Sequence, residues 1–312
     1  MEFCVKFENY RCLRETSLRL TPLTVLVGEN ASGKSSILRS LDPAQELSER
    51  DVWQMRHERG VAVVLKLDGQ RTLTRTWDPR SRRPTLSDTR AQQPSVRVQS
   101  LHLDLAELRP ERQFQAEHRL SKTGANIGNV FGTLSRPKQQ EVVQQLARLV
   151  PVIGDIHHAP SRAGHVRLIF QDAWNHDAWY EPSEVSDGTF LTLAYLLLQH
   201  QQDFPSIVTI DEPERGLHPY LIEQVVRLLR RLAHGEFGRS IHIVLATHSP
   251  ALVEFVQPEE LRFLNREQDG SVTIHELPTA SKDWQVVLKE YTGSLGGVWM
   301  SGTIGGVPSA RP

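Results

Sequence analysis

The segment Val27-Gly28-Glu29-Asn30-Ala31-Ser32-Gly33-Lys34-Ser35-Ser36 leaves the chain little freedom in how it can fold. Its spacing, a glycine, four residues and then Gly-Lys-Ser, is that of a phosphate loop. The flanks agree. Thr21 to Val27 reads as a short buried strand, and Ser36-Ile37-Leu38-Arg39-Ser40-Leu41 as the start of a helix. A strand that breaks on glycine and resumes as a helix turns a row of backbone N–H groups toward one point, where negative charge is favoured. Gly28, Glu29, Asn30, Ala31, Ser32, Gly33, Lys34, Ser35 and Ser36 are therefore expected to cradle a nucleoside triphosphate. Lys34 would reach the β and γ phosphates, and Ser35 would place its hydroxyl on Mg²⁺.

A chain of 312 residues with 39% hydrophobic content can bury one large core or two modest ones. No run approaches the roughly 18 apolar residues of a membrane span. Met1 to Phe7 shows no basic region followed by a long apolar one. Cys4 and Cys12 are too few for a disulfide framework or a cysteine zinc site. The expectation is a cytoplasmic protein without a membrane partner. With a net charge of −1, any surface for nucleic acid must be local. Arg71, Arg75, Arg80, Arg82, Arg83, Arg90 and Arg97, interspersed with Pro79, Pro84 and Pro94, read as a solvated connection, with a phosphate-contacting patch as the alternative.

Phe3 to Leu20 alternates apolar and polar residues, as two strands of an antiparallel layer would. Val61 to Leu67 and Leu73 to Trp77 form a predicted hairpin turning at Asp68-Gly69. Helices are expected over Lys138 to Leu149, Thr189 to Gln199 and Leu221 to Ala233, and strands over Val166 to Phe170, Ile207 to Ile210 and Ile241 to Ala246. Apolar strands alternating with helices predict a parallel sheet covered on both faces. Residues 90 to 165 are mixed and polar, helical in parts, with no heptad array that would build coiled-coil arms.

Three further segments carry chemistry. Ile207 to Ile210 runs into Asp211-Glu212-Pro213, which puts two acids at the end of a core strand, expected beside the phosphate-loop strand. Asp211 would serve Mg²⁺, and Glu212 would be the general base for the attacking water. Ser186-Asp187-Gly188 opens the apolar helix: Ser186 or Asp187 would cap its free N–H groups, and Gly188 would let a phosphate approach. His248, just after a buried strand in Ala246-Thr247-His248-Ser249-Pro250, is placed to contact a γ phosphate or the water.

In order and spacing these elements resemble the ATP-binding-cassette ATPases, and among them the branch of RecF, the SMC proteins and the overcoming-lysogenization-defect (OLD) ATPases. Asn30 inside the loop, Ser186-Asp187-Gly188-Thr189 as the signature, and Asp211-Glu212-Pro213-Glu214-Arg215-Gly216-Leu217-His218-Pro219 carry the likeness. The stretch from Gly296 through Trp299 to Gly306 is similar to the Gly- and Trp-containing end of the OLD-like group. The likeness runs from about residue 3 to 265 and is loose over 90 to 165.

The resemblance implies an α/β P-loop NTPase with a mixed central sheet flanked by helices and an antiparallel β subdomain, like the head of an ABC ATPase. It implies one such domain over 1–312: an N-terminal lobe (1–90), a helical insert (91–180), a lobe with signature, acids and histidine (181–265), and a C-terminal extension (266–312). ATP and Mg²⁺ would be the ligands. Two copies would pack head to tail, with Ser186, Asp187 and Gly188 of one facing the γ phosphate held by Lys34 of the other. The Mg²⁺-sensing glutamine of such proteins has only Gln54 and Gln70 as candidates, and Arg215 reads as a surface salt bridge, with charge stabilisation at the opposing γ phosphate as the alternative.

OLD-like nucleases carry a metal-binding TOPRIM domain. About sixty residues follow His248 here, without an Asp-x-Asp pair. The expected role is thus an ATP-gated dimeric switch acting on a separate, nuclease-like effector in an anti-phage or toxin-like system. The alternatives are a RecF-like DNA-binding ATPase and, remotely, the nucleotide-binding subunit of a transporter.

Overall fold

The computed structural model of the protein describes residues 3–42, 44–53, 60–67, 71–90, 96–161, 164–202, 204–279, 286, 289–290 and 293–302. The chain begins with β1 (Phe3–Tyr10), β2 (Leu13–Leu20), β3 (Leu23–Val27), α1 (Lys34–Leu41), β4 (Val61–Leu67), β5 (Arg71–Asp78), β6 (Arg83–Asp88) and β7 (Val98–Leu101). There follow α2 (Leu105–Leu108), β8 (Arg112–Gln113), α3 (Ile127–Thr133), α4 (Arg136–Leu149), β9 (Ile153–Pro160), β10 (His165–Asp172), β11 (Trp179–Tyr180) and α5 (Asp187–Leu198). The last part holds β12 (Ile207–Asp211), α6 (Pro219–Ala233), β13 (His242–Thr247), α7 (Pro250–Val253), β14 (Leu261–Arg266), β15 (Val272–His275) and α8 (Leu295–Met300). Two compact units result. The first comprises Met1–Ser100, Pro205–Glu212 and Ile241–Pro312, and the second Leu101–Phe204 and Pro213–Ser240.

The first unit is built on a six-stranded sheet of order β15-β14-β3-β13-β12-β7. Strands β14, β3, β13 and β12 run parallel. Every residue of β3 and β13 is buried, as continuous apolar runs require of a sheet covered on both faces. The expectation that β12 adjoins β3 is wrong, because β13 lies between them. Two mostly apolar runs carry no mark of which is the neighbour, so periodicity could not order them.

A second, antiparallel sheet has the order β2-β1-β4-β5-β6. Its inward residues Phe3, Val5, Phe7, Leu18 and Leu20 share one core with Leu26, Ile37, Leu41, Val244 and Ala246. The β4–β5 hairpin forms with Leu67 opposite Arg71. Its expected turn at Asp68-Gly69 lies outside the described residues, as do Gln54 and Gln70.

The arginine-rich stretch is not the solvated connection expected. Arg71, Leu73, Arg75 and Trp77 alternate along β5, and the period of two turns all four inward. Arg71 forks onto Asp88, Nε to Oδ1 at 3.0 Å and Nη2 to Oδ2 at 2.5 Å. The Asp88 contact raises the guanidinium's pKa and holds the carboxyl below its usual range. Arg75 donates to the Asp42 and Gln45 carbonyls at 2.7 and 2.8 Å and to that of Ser40. Ser40 lies in the last turn of α1, where helix carbonyls run short of partners, and Asp42 and Gln45 follow just after it. Burial pulls the Arg75 pKa down, opposed by Tyr10, Asp42 and Asp51 nearby, and the carbonyls give its N–H groups partners inside. Arg80, Arg82, Arg83 and Arg90 remain exposed.

The second unit is organised around α5, in which every residue from Gly188 to Leu198 is buried, the pattern of an interior helix. Phe190 meets Phe170 of β10 edge to face at 5.2 Å. Amphipathic α6 buries Ile222, Val225, Val226 and Leu229. The illegible middle region supplies β7 to the first unit's sheet and α2, β8, α3, α4 and β9 to the second unit. Its longest described helix is α4, of 14 residues. No helix among the described residues is long and apolar enough to cross a membrane.

Arg75→Met should lower the unfolding free energy by about 2–3 kcal/mol, since the buried Ser40 carbonyl and the half-buried contacts to Asp42 and Gln45 would lose a charged donor. Urea denaturation monitored by circular dichroism measures it; an unchanged midpoint would mean that the end of α1 does not depend on Arg75.

Candidate nucleotide site

The phosphate-loop residues come together where the sequence places them. Strand β3 ends at Val27, and α1 starts at Lys34. A Cβ on Gly28 would sit 2.7 Å from Ser32 Oγ and 3.0 Å from the Leu264 carbonyl. Gly33 has φ +97°, and a Cβ there would sit 2.6 Å from Cys12 Sγ. Close neighbours therefore leave no room for a side chain at Gly28, and Gly33 is required both by its left-handed backbone and by the nearby Cys12. Ala31 takes a left-handed φ of 62° at the exposed tip beside Asn30. Lys34 is buried and folds back over the loop: its Nζ donates to the Gly28 carbonyl at 2.8 Å, to that of Glu29 at 2.7 Å and to Ser32 Oγ at 3.3 Å. The Ser36 carbonyl accepts a long 3.4 Å hydrogen bond from the Tyr10 hydroxyl.

Register brings the remaining groups of the first unit to the same edge. Thr247 of β13 stands opposite Val27 of β3, and Ala246 opposite Asp211 of β12. Past these pairs, Ser35 Oγ donates to Asp211 Oδ2 at 3.3 Å. His248 Nδ1 lies 3.1 Å from Glu212 Oε1, with the imidazole half exposed. Glu212 has φ 50°, unusual for a residue with a side chain, and its N–H donates to the Ala246 carbonyl at 2.9 Å. Among the described residues no group of three or more His, Cys, Asp or Glu side chains gathers into a metal cage. The pairing of one hydroxyl with one carboxylate, Ser35 with Asp211, fits Mg²⁺, which takes few protein ligands when phosphate oxygens complete its octahedron.

The signature lies in the second unit. Ser186 is the exposed N-cap of α5, its Oγ accepting from the Thr189 N–H at 3.3 Å. Asp187 is engaged elsewhere: its carboxylate receives the Nη2 of Arg109. A Cβ on Gly188 would meet Leu221 Cδ1 at 3.3 Å and the Gly216 carbonyl at 3.4 Å, so this glycine has a packing reason. Tyr195, on the same helix, donates to the Pro213 carbonyl at 3.2 Å, and burial reinforced by Glu214 raises its pKa. Arg215 is exposed and makes no ion pair among the described residues, so the expected salt bridge is not formed. Sequence reasoning missed Arg109 altogether, because no motif marks it.

Similarity to known proteins matches this geometry. A stretch of 49 residues is 45% identical to the OLD nuclease of Thermus scotoductus, covering 16% of this chain and 8% of that nuclease. The fold is that of SMC heads. The SMC head domain from Thermotoga maritima aligns over 89% of this chain and 99% of its own, with a TM-score of 0.56 and 16% identity. The SMC head bound to the C-winged helix domain of ScpA aligns over 90% of this chain and 99% of its own, with a TM-score of 0.62 and 14% identity. Residues 4–50 match the family described as "AAA ATPase domain". Residues 43–254 match the family described as "AAA domain, putative AbiEii toxin, Type IV TA system". The chain is a P-loop ATPase with the fold of SMC heads and belongs to that AAA family.

Proposed function

We propose that this ATPase works as a switch in which two copies close head to tail over two ATP molecules, hydrolysis parts them, and a separate effector reads their state. The observation that carries this reading is the convergence of Lys34, the Ser35–Asp211 pair and the Glu212–His248 pair at the C-terminal edge of β3, β13 and β12. Strand ends of a parallel sheet are where such folds hold ligands.

In this reading, the amides from Gly28 to Ser36 hold the β and γ phosphates, and Lys34 exchanges loop carbonyls for phosphate oxygens. Its ammonium already stands inside the loop, so little reorganisation is needed when negative charge arrives. Ser35 and Asp211 would hold Mg²⁺, which would supply charge neutralisation at the phosphate oxygens. Glu212 accepts the proton of the attacking water, and His248 steadies its carboxylate. The left-handed backbone at Glu212 costs on the order of 1–3 kcal/mol, a strain that accumulates at functional sites. Ser186, Asp187 and Gly188 of the partner copy would complete the site, as the ATP-binding-cassette resemblance implies. The toxin–antitoxin wording of the family description and the OLD nuclease relative support a nuclease-like or toxin effector in anti-phage defence, within the cytoplasm.

One observation favours a second reading, a RecF-like ATPase on DNA. With Arg71 and Arg75 inside, Arg80, Arg82 and Arg83 stand exposed where β5 turns into β6. If this reading holds, reversing these three to Glu abolishes an ATP-dependent, salt-sensitive binding to duplex DNA in a mobility-shift titration. Identical binding by wild type and variant removes it.

Lys34→Ala should weaken ATP binding and abolish turnover; unchanged phosphate release would refute the phosphate-loop assignment. Glu212→Gln should keep ATP binding while slowing hydrolysis on the order of 10²–10⁴-fold. Light scattering of that variant should show dimer mass only with ATP and Mg²⁺, whereas a constant mass would remove the closing step from the proposal.

A further inference from the structure

Arg109 sits at the C-cap of the single-turn helix α2, which Asp104 caps by accepting the Ala106 N–H at 2.9 Å. Its guanidinium holds three separate points of the approach to α5. Nη1 donates to the Val185 carbonyl at 2.8 Å and to that of Pro182, and Nη2 meets Asp187 Oδ1. The plane also lies 5.1 Å from the centroid of the Phe190 ring in the first turn of α5. One rigid fork thus fixes the two carbonyls before the cap, the carboxylate at the first helical position and the ring three residues further on. A lysine, a point charge on a flexible stem, cannot hold these acceptors together.

The carboxylate is where this matters. Asp187 suits a helix N-terminus taken alone, but it would repel a triphosphate brought to that end. Drawn onto Arg109, its charge is neutralised, and Ser186 Oγ stays on the exposed side. We propose that Arg109 is a positioning residue for the nucleotide-facing end of α5, setting Ser186 and Gly188 for an ATP held by a second copy of this chain. The inference rests on the head-to-tail reading above, and it assigns a role to a residue outside every motif of the sequence.

Mixing experiments separate the two. Arg109→Ala alone should bind ATP as wild type does, since its own phosphate loop is intact, and should lose turnover on the order of a hundredfold, the cost of a misplaced group remote from the chemistry. Equal amounts of Arg109→Ala and Lys34→Ala, each inactive alone, should recover about one quarter of wild-type activity, because half the pairs are mixed and each mixed pair has one intact site of two. Ser186→Arg mixed with Lys34→Ala is the control for the head-to-tail reading itself. If the control recovers activity and the Arg109→Ala mixture does not, Arg109 serves only its own copy and the inference is overturned. If neither recovers, the head-to-tail reading fails and takes the inference with it. Wild-type turnover by Arg109→Ala alone would also overturn it. Should Arg109→Ala not fold, Arg109→Lys, which keeps the charge but not the fork, is read in the same way.

Discussion

The chemistry of this protein hangs on a ladder of backbone hydrogen bonds. Strands β3, β13 and β12 run parallel, with Val27 opposite Thr247 and Ala246 opposite Asp211. Because parallel register moves side chains in steps of a residue, a slip of one would turn Asp211 to the other face of the sheet and part it from Ser35. The register is held by burial, since β3 and β13 have no residue that water could share. Ser35, Asp211, Glu212 and His248 are polar and at least partly exposed, but their alignment comes from buried valines, leucines and isoleucines of the strands.

Helix α1 shows how the same unit manages backbone groups that secondary structure leaves over. At its N-terminal end, Lys34 satisfies the carbonyls of its own loop. At the other end, Arg75 satisfies Ser40, Asp42 and Gln45. Both cations are buried, and carbonyl oxygens compensate each. The likeness in chemistry hides a difference in place: the lysine's partners are carbonyls of its own glycine loop, whereas the arginine's belong to the packing of the antiparallel sheet against α1.

The loop and the acidic strand end were legible because their meaning lies in spacing. Gly28, Gly33, Lys34 and Ser35 must be near one another wherever the chain goes, and a strand that ends in Asp211-Glu212 must end at the sheet's edge. Arg75 and Arg109 were not legible. Their partners lie 35 and 78 residues away, at Ser40 and Asp187, and nothing in the neighbouring residues announces either contact. Alternation along β5 could have revealed that Arg71 and Arg75 face inward with Leu73 and Trp77. The density of arginine and proline around them pointed instead to a surface connection.

By itself, then, the sequence determined the α/β ATPase fold, the loop between strand and helix, and the acids and histidine that follow core strands, because local spacing and apolar periodicity act over a few residues and need no knowledge of the rest of the chain. Only the tertiary structure decided that β13 separates β12 from β3, that Asp187 answers to Arg109, and that two of seven arginines hold the interior rather than face solvent. Those choices depend on which distant groups share a desolvated space, where every charge and carbonyl must find a partner, and that accounting closes only when the whole unit is assembled.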